Sequence, residues 1–167
     1  YTHTEQRYPV VYFLPGFGSD PHGKNSYFSA QALAAAMSRG EIMEMIVVEP
    51  NGANLLHGSF YVNSPVTGNW EDFIVQDVVG YIDEHYRTIA GRDGRGIAGF
   101  SMGGFAAINL AMRHPDLFAA AYGLSPALFA PDARTAERII EFFTAQIRNK
   151  NTRKAYAKAT DDFAAWC

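Results

Sequence analysis

The pattern that most restricts the fold of this chain is Gly99-Phe100-Ser101-Met102-Gly103, which stands between a short apolar run and a segment that favours helix. A serine at the apex of so sharp a strand-to-helix turn adopts strained backbone angles, and its neighbours two positions away must lack side chains. Such a turn presents the serine hydroxyl at the carboxyl end of a sheet, with a helix N-terminus behind it. Ser101 is therefore the candidate nucleophile, and a glycine-rich packing turn is the alternative interpretation.

Strand and helix patterns alternate over the first 130 residues. Apolar runs rich in β-branched and aromatic residues predict four strands, at 10–14, 45–48, 96–100 and 118–124. Three-residue and four-residue apolar spacings and alanine-rich segments predict helices, at 31–39, 70–86 and 105–113. This alternation predicts an α/β fold, with a parallel sheet flanked by helices. The Gly, Asn, Ser and Pro-rich segment between residues 51 and 69 is long for a connection, which indicates a functional loop.

Backbone amides beside the candidate nucleophile are expected to stabilise a developing oxyanion. The amide of Met102 begins the helix that follows Ser101. A second donor should come from the turn after the first strand, where the amide of Phe17 is our choice. A plain β-to-α turn would keep the same glycines for backbone reasons and is the alternative.

Four separated motifs resemble the esterase family of α/β-hydrolases that includes S-formylglutathione hydrolases, feruloyl esterases and mycolyltransferases. The motifs are Tyr8-Pro9-Val10-Val11-Tyr12-Phe13-Leu14-Pro15-Gly16-Phe17-Gly18, Gly68-Asn69-Trp70-Glu71-Asp72, Tyr86-Arg87-Thr88 and Gly99-Phe100-Ser101-Met102-Gly103-Gly104. The resemblance covers about residues 8 to 130 and implies a truncated α/β-hydrolase. It implies Ser101 as nucleophile, and the amides of Phe17 and Met102 as the oxyanion hole. The substrate pocket would include Gly16, Trp70 and the Ser59-Phe60-Tyr61 loop, whereas Pro15 and Phe100 replace histidines that many relatives carry.

The acid and the histidine of a catalytic triad are not found in their usual order. In α/β-hydrolases they follow the serine, but the only histidine after Ser101 is His114. A helix would place His114 about 20 Å from Ser101, so we expect it to cap the helix C-terminus. His57 and His22 are candidate substitute bases, and Asp132 is a candidate acid.

The segment beyond residue 130 differs in composition from the rest of the chain. Its 37 residues hold seven of the 14 Lys and Arg and no glycine, and they predict two helices. Asn151-Thr152-Arg153-Lys154-Ala155-Tyr156 and Phe163-Ala164-Ala165-Trp166-Cys167 resemble the first helices of the core-binding domain of tyrosine recombinases. We therefore expect a truncated hydrolase core at 1–130 and an extra helical unit at 131–167, joined by gene fusion or a rearranged reading frame. The open edge of the fourth strand would then favour a homodimer, with the added helices covering it within one chain or by exchange.

Composition restricts the partners and cofactors of the chain. The formal net charge is −3, so no global basic field favours nucleic acid or an anionic membrane. The uncharged stretch 96–112 is shorter than the roughly 20 apolar residues that span a bilayer. With one cysteine, Cys167, and no Cys/His cluster at zinc spacing, we expect neither a metal nor a cofactor.

Three functions compete on these observations. The leading one is a serine esterase that hydrolyses small carboxylic esters through an acyl-enzyme on Ser101. The second is an inactive hydrolase remnant that serves as an interaction module, which the missing downstream histidine favours. The weakest is a DNA-binding tail, because seven basic against five acidic residues in 131–167 make a small electrostatic footprint.

Overall fold

The computed structural model describes residues 5–19, 30–54 and 57–127. These ranges belong to one compact unit, Tyr1–Ala127. The strands are β1 (Val10–Leu14), β2 (Ile46–Val48), β3 (Asn63–Ser64), β4 (Gly68–Asn69), β5 (Arg95–Phe100) and β6 (Ala120–Leu124). The helices are α1 (Ala30–Ser38), α2 (Trp70–Asp72), α3 (Val79–His85) and α4 (Met102–Arg113). The helical unit predicted at 131–167 lies outside the described residues and stays a prediction.

Four strands form one parallel sheet in the order β2-β1-β5-β6. The predicted parallel α/β sheet is confirmed. The chain passes from β1 to β2 on one side and then returns to β5 on the other, so the strand order reverses between β1 and β5. Their carboxyl ends lie side by side, with Leu14 paired to Gly99. Open parallel sheets bind ligands in the crevice at such a reversal point.

The helix after β5 is longer than predicted, because it begins at Met102 rather than at residue 105. Its buried face consists mostly of small and aliphatic residues, with Ala106, Ala107 and Leu110 fully buried. The small residues let α4 approach the sheet closely, where it packs on β1, β5 and β6. This packing fixes the start of α4 against the carboxyl ends of the two central strands.

The helix predicted at 70–86 forms as one run with a change of winding inside it. A π-helical segment, Phe73–Val78, joins α2 to α3. Ile74, Val79 and Ile82 are its buried apolar residues. None of the helices in the described ranges has the length and apolar character that a membrane span requires.

Candidate active site

Ser101 occupies the single residue between β5 and α4, with φ 53° and ψ −112°. A positive φ is unfavourable for a residue that carries a Cβ and persists only where the surroundings hold it. Here the Ser101 N–H donates to the carbonyl of Leu124 at 2.9 Å, and its carbonyl accepts from the Phe105 and Ala127 amides, each at 3.0 Å. The end of β6 and the residues after it therefore bind both the N–H and the carbonyl of Ser101. The residue itself is only partly buried.

Two glycines allow this turn to close. A Cβ on Gly103 would overlap the carbonyl group of Leu14, and one on Gly99 would overlap the carbonyl of Gly103. Side chains at either position would separate α4 from the ends of β1 and β5. The glycine spacing in the motif thus has a direct steric cause.

The turn after β1 lies beside Ser101. Gly16 is buried, and a Cβ added to it would stand 3.5 Å from the Cβ of Ser101. The next amide, that of Phe17, has no hydrogen-bond acceptor among the residues that the structure describes. The Met102 amide is the first of α4, and the first four amides of a helix lack intrahelical acceptors. Among the described residues neither amide therefore has an acceptor, and both are available to donate.

Three phenylalanine rings form an apolar surface next to this turn. The ring of Phe17 is 55% exposed and lies 6.2 Å from that of Phe60, which lies 6.3 Å from that of Phe105. Phe105 was not singled out from the sequence, although its position one helical turn after Ser101 could have indicated it. The surface is suited to an apolar group of a ligand.

The loop that carries Tyr61 contacts the turn after β1. Tyr61 is fully buried, and its hydroxyl donates to the carbonyl of Pro15 at 3.3 Å. Burial raises the pKa of this hydroxyl above its ordinary value. Tyr61 therefore contacts the turn after β1 and not solvent.

Trp70 lies at the start of α2 and is half-buried. Its indole N–H donates to the carbonyl of Thr67 at 2.6 Å, and its ring meets that of Phe73 edge to face at 5.7 Å. These contacts tie the β3–β4 hairpin to the helical run. Among the described residues, no hydrogen bond joins Trp70 to Ser101.

Within the described ranges, no side chain forms a hydrogen bond with the Ser101 hydroxyl. His57 is exposed, and its carbonyl accepts from the Gly18 amide at 2.8 Å. His22 and Asp132 lie outside the described residues. His114 is the C-cap residue of α4, as expected, and its amide donates to the carbonyl of Leu110 at 2.8 Å. Its side chain turns to a different partner, because Nε2 lies 2.7 Å from the carboxylate of Glu71.

No group of three or more His, Cys, Asp and Glu in the described part of the chain could hold a metal ion.

Comparisons with known proteins agree with this geometry. The family described as "Putative esterase" matches residues 1–161. An esterase of Mycobacterium tuberculosis is 34% identical over 127 residues, which are 72% of this chain and 26% of that protein. A protein of Xylanibacter ruminicola named endo-1,4-beta-xylanase/feruloyl esterase is 22% identical over 166 residues, 96% of this chain and 22% of that protein. A solved structure named ferulic acid esterase superposes with a TM-score of 0.68 at 33% identity, over 78% of this chain and 50% of that one.

The extent of these matches bears on the organisation of the chain. The chain spans about a quarter of the length of these curated relatives and half of the solved structure. The family match continues to residue 161. The expected end of the hydrolase core was residue 130. The resemblance of the segment 131–167 to tyrosine recombinases stays a prediction.

Proposed function

The chain belongs to the Putative esterase family of α/β-hydrolases, and from this premise we propose that it hydrolyses small carboxylic esters through an acyl-enzyme on Ser101. The observation that carries the proposal is the position of Ser101. It stands with a positive φ at the carboxyl end of a central strand, beside a second turn and in front of a helix N-terminus. This arrangement suits a nucleophile whose attack creates negative charge.

The reaction follows from the groups around Ser101. Its oxygen attacks the ester carbonyl and loses its proton to a base, while the carbonyl oxygen becomes an oxyanion that accepts from the Phe17 and Met102 amides. The intermediate expels the alcohol, which takes up the proton, and leaves an acyl group on Ser101. Water then attacks the acyl-enzyme by the same route and releases the carboxylic acid.

The attack of Ser101 needs a base that accepts its proton. We propose a non-standard triad in which His57 or His22 acts as base and Asp132 as acid. His57 is exposed, and its backbone is bonded to the turn that contains Phe17. Serine hydrolases that lack a triad member keep about 10³ to 10⁴ over water from the oxyanion hole and binding alone. Activated aryl esters, which need little help from an acid, are therefore the first substrates to test.

The apolar surface beside Ser101 bears on the substrate. The rings of Phe17, Phe60 and Phe105 suit an aromatic or short apolar acyl group. The name of the solved relative, a ferulic acid esterase, supports testing hydroxycinnamate esters next to acetate and butyrate esters.

Labelling with a fluorophosphonate and turnover of aryl esters test this function. We expect Ser101 to be labelled, and Ser101→Ala to lose labelling and at least about 100-fold in kcat. Ser125→Ala is the matched control, since Ser125 also has a positive φ, 42°, and follows β6 at the same end of the sheet. Unchanged ester turnover in Ser101→Ala would refute the proposal.

One observation favours a second function, that of an inactive remnant serving as an interaction module. In the described part of the chain the Ser101 hydroxyl has no hydrogen-bonded base. A folded protein that resists fluorophosphonate labelling would support this alternative. The DNA-binding tail falls on residues 131–167, outside the described ranges, and stays a prediction.

We also propose that the protein is a homodimer, on the basis of its edge strand. Among the described residues β6 is an edge strand of the sheet, and its Tyr122 and Leu124 side chains are 53% and 38% exposed. An open apolar edge favours pairing with a second chain. Light scattering at micromolar concentration tests this, and a monomer there would contradict it.

A further inference from the structure

One five-residue loop, 57–61, forms hydrogen bonds on both sides of Phe17 and with the side chain of Met102. The His57 carbonyl accepts from the Gly18 amide at 2.8 Å, and the Tyr61 hydroxyl donates to the Pro15 carbonyl at 3.3 Å. Between these two contacts, the Phe60 amide lies 3.3 Å from Sδ of Met102. We call this segment the brace loop, because its contacts converge on the two residues that supply the free amides beside Ser101.

Packing within the brace loop is close around both residues. A Cβ added to Gly58 would overlap the ring of Phe17 and stand 2.8 Å from Sδ of Met102. Tyr61 and Met102 are 0% and 2% exposed. A Cβ on Gly52 would overlap the Tyr61 ring, so glycine at that position makes room for the tyrosine. The backbone at Gly58 and the ring of Tyr61 therefore have little freedom to shift.

The backbone of the brace loop is held in an unfavourable conformation. His57, Phe60 and Tyr61 have φ values of 66°, 52° and 52°, although all three carry side chains. Residues of this kind persist where neighbouring contacts hold them, and they occur more often at sites where groups must be placed accurately. The strained backbone of the brace loop and its contacts with Phe17 and Met102 both indicate that the loop holds these two residues in place.

We propose that the brace loop positions the amides of Phe17 and Met102, and that Tyr61 is the positioning residue that holds the Phe17 turn. This inference rests on the proposed function. The Tyr61 hydroxyl fixes the carbonyl of Pro15, one peptide group before the Gly16–Phe17 peptide whose N–H donates to the oxyanion. An oxyanion donor is effective only over a distance range of about 2.7–3.1 Å, so a small rotation of that peptide weakens it. Tyr61 touches no substrate atom and acts through the turn.

The test compares Tyr61→Phe with Tyr86→Phe. Both substitutions remove only a hydroxyl, but Tyr86 is 44% exposed and lies at the end of α3. For Tyr61→Phe we expect kcat on an aryl ester to fall about tenfold with KM unchanged, less than the ~10²–10³ lost when a donor is deleted. We also expect amide hydrogen exchange at Gly18, whose N–H donates to the His57 carbonyl, to become about fivefold faster, as the loss of one hydrogen bond implies. Tyr86→Phe should match the wild type in both measurements.

The two measurements separate this inference from the proposed function. If the wild type turns over esters through Ser101 and Tyr61→Phe has wild-type kcat and exchange, the role of Tyr61 is refuted while the esterase proposal survives. If the wild type shows no turnover that depends on Ser101, the esterase proposal fails, and the exchange rates alone decide whether Tyr61 holds the turn.

A second variant addresses the same loop if Tyr61→Phe does not fold. Met102→Leu keeps an apolar side chain but removes the sulfur that lies next to the Phe60 amide. We expect a severalfold lower kcat with unchanged KM, because α4 then loses its bond to the brace loop. A wild-type kcat in Met102→Leu would contradict the role of the loop at the Met102 amide.

Discussion

Glu71, the second residue of α2, accepts a hydrogen bond from His114, with Nε2 at 2.7 Å from Oε1. Arg113 donates to the same oxygen at 2.9 Å, and the Glu71 side chain is only 7% exposed. The contact therefore ties the start of the 70–85 helical run to the end of the helix that begins after Ser101. Since His114 is held there, about 20 Å along α4 from Ser101, it is not available as the catalytic base.

Removal of the Glu71 carboxylate is expected to destabilise the protein. In Glu71→Ala, Arg113 and His114 lose a charged acceptor, and hydrogen bonds to charged groups contribute about 1.5–3 kcal/mol each. We expect the free energy of unfolding to fall by about 2 kcal/mol, measured by urea denaturation. Glu84→Ala is the control, because that side chain is 78% exposed and should have no measurable effect. Equal stability of the two variants would show that the buried contact contributes nothing.

A second buried ion pair, between Asp83 and Arg95, lies at the other end of the sheet from Ser101. The two side chains are 17% and 10% exposed, and Asp83 also accepts from the Thr88 hydroxyl at 2.7 Å. Loss of one partner leaves an uncompensated buried charge, so Asp83→Ala should lower the free energy of unfolding by about 3 kcal/mol. Asp93→Ala removes a carboxylate from a pair whose Asp93 side chain is 96% exposed and should leave the urea midpoint unchanged. The prediction fails if the two variants shift the midpoint alike.

Alanine substitutions at two helix glycines should change the stability of the protein in opposite directions. A Cβ on Gly103 would overlap the Leu14 carbonyl, whereas a Cβ on Gly80 would have no atom within 4 Å. Gly103→Ala should therefore prevent native folding or reduce stability by more than about 3 kcal/mol, since backbone must move to accept it. Gly80→Ala should stabilise α3 by about 0.5–1 kcal/mol. Thermal unfolding of both variants measures the contrast, and a stable Gly103→Ala protein would contradict the packing described for the turn.

The stability of the protein should decline in alkaline solution partly through Tyr12. Burial, followed by the charge of Asp83, raises the pKa of this hydroxyl from 10.0 to about 12. A raised folded pKa means that the contribution of Tyr12 is complete below pH 10 and is lost as pH rises through about 12. The free energy of unfolding should fall less between about pH 9 and about pH 11.5 in Tyr12→Phe than in the wild type. Tyr81→Phe, at a position 55% exposed, should follow the wild type, and parallel curves for all three proteins would oppose this assignment.

Local patterns predicted the elements of this fold better than their arrangement. The apolar runs at 10–14 and 96–100 correspond to β1 and β5, because a strand buried on both faces needs a continuous apolar sequence. The strand order was not predicted, since pairing between distant segments leaves no mark in the pattern of either one. The π-helical segment 73–78 has the same apolar spacing as an ordinary helix and was missed for that reason.

In the candidate site, too, local features could be predicted from the sequence, whereas contacts between distant residues could not. The turn around Ser101 could be anticipated because its steric requirements fall on glycines only two residues away. The contacts of Tyr61 with Pro15 and of Phe60 with Met102 could not, because they depend on positive φ values at residues that rarely adopt them. The hydrogen bond between Glu71 and His114 joins residues that are far apart in the sequence, so the pattern of neither helix predicts it.

The two bonds from the Ser101 backbone to Leu124 and Ala127 set a limit on how this chain can be divided for split-enzyme reporters. A fragment that ends at residue 123 would lack both partners and release the strained φ of the serine, even though β5 and α4 would be intact. Reassembly with the complementary fragment would have to restore that backbone angle before any acyl transfer. The earliest useful cut on this side of the sheet therefore falls after Ala127.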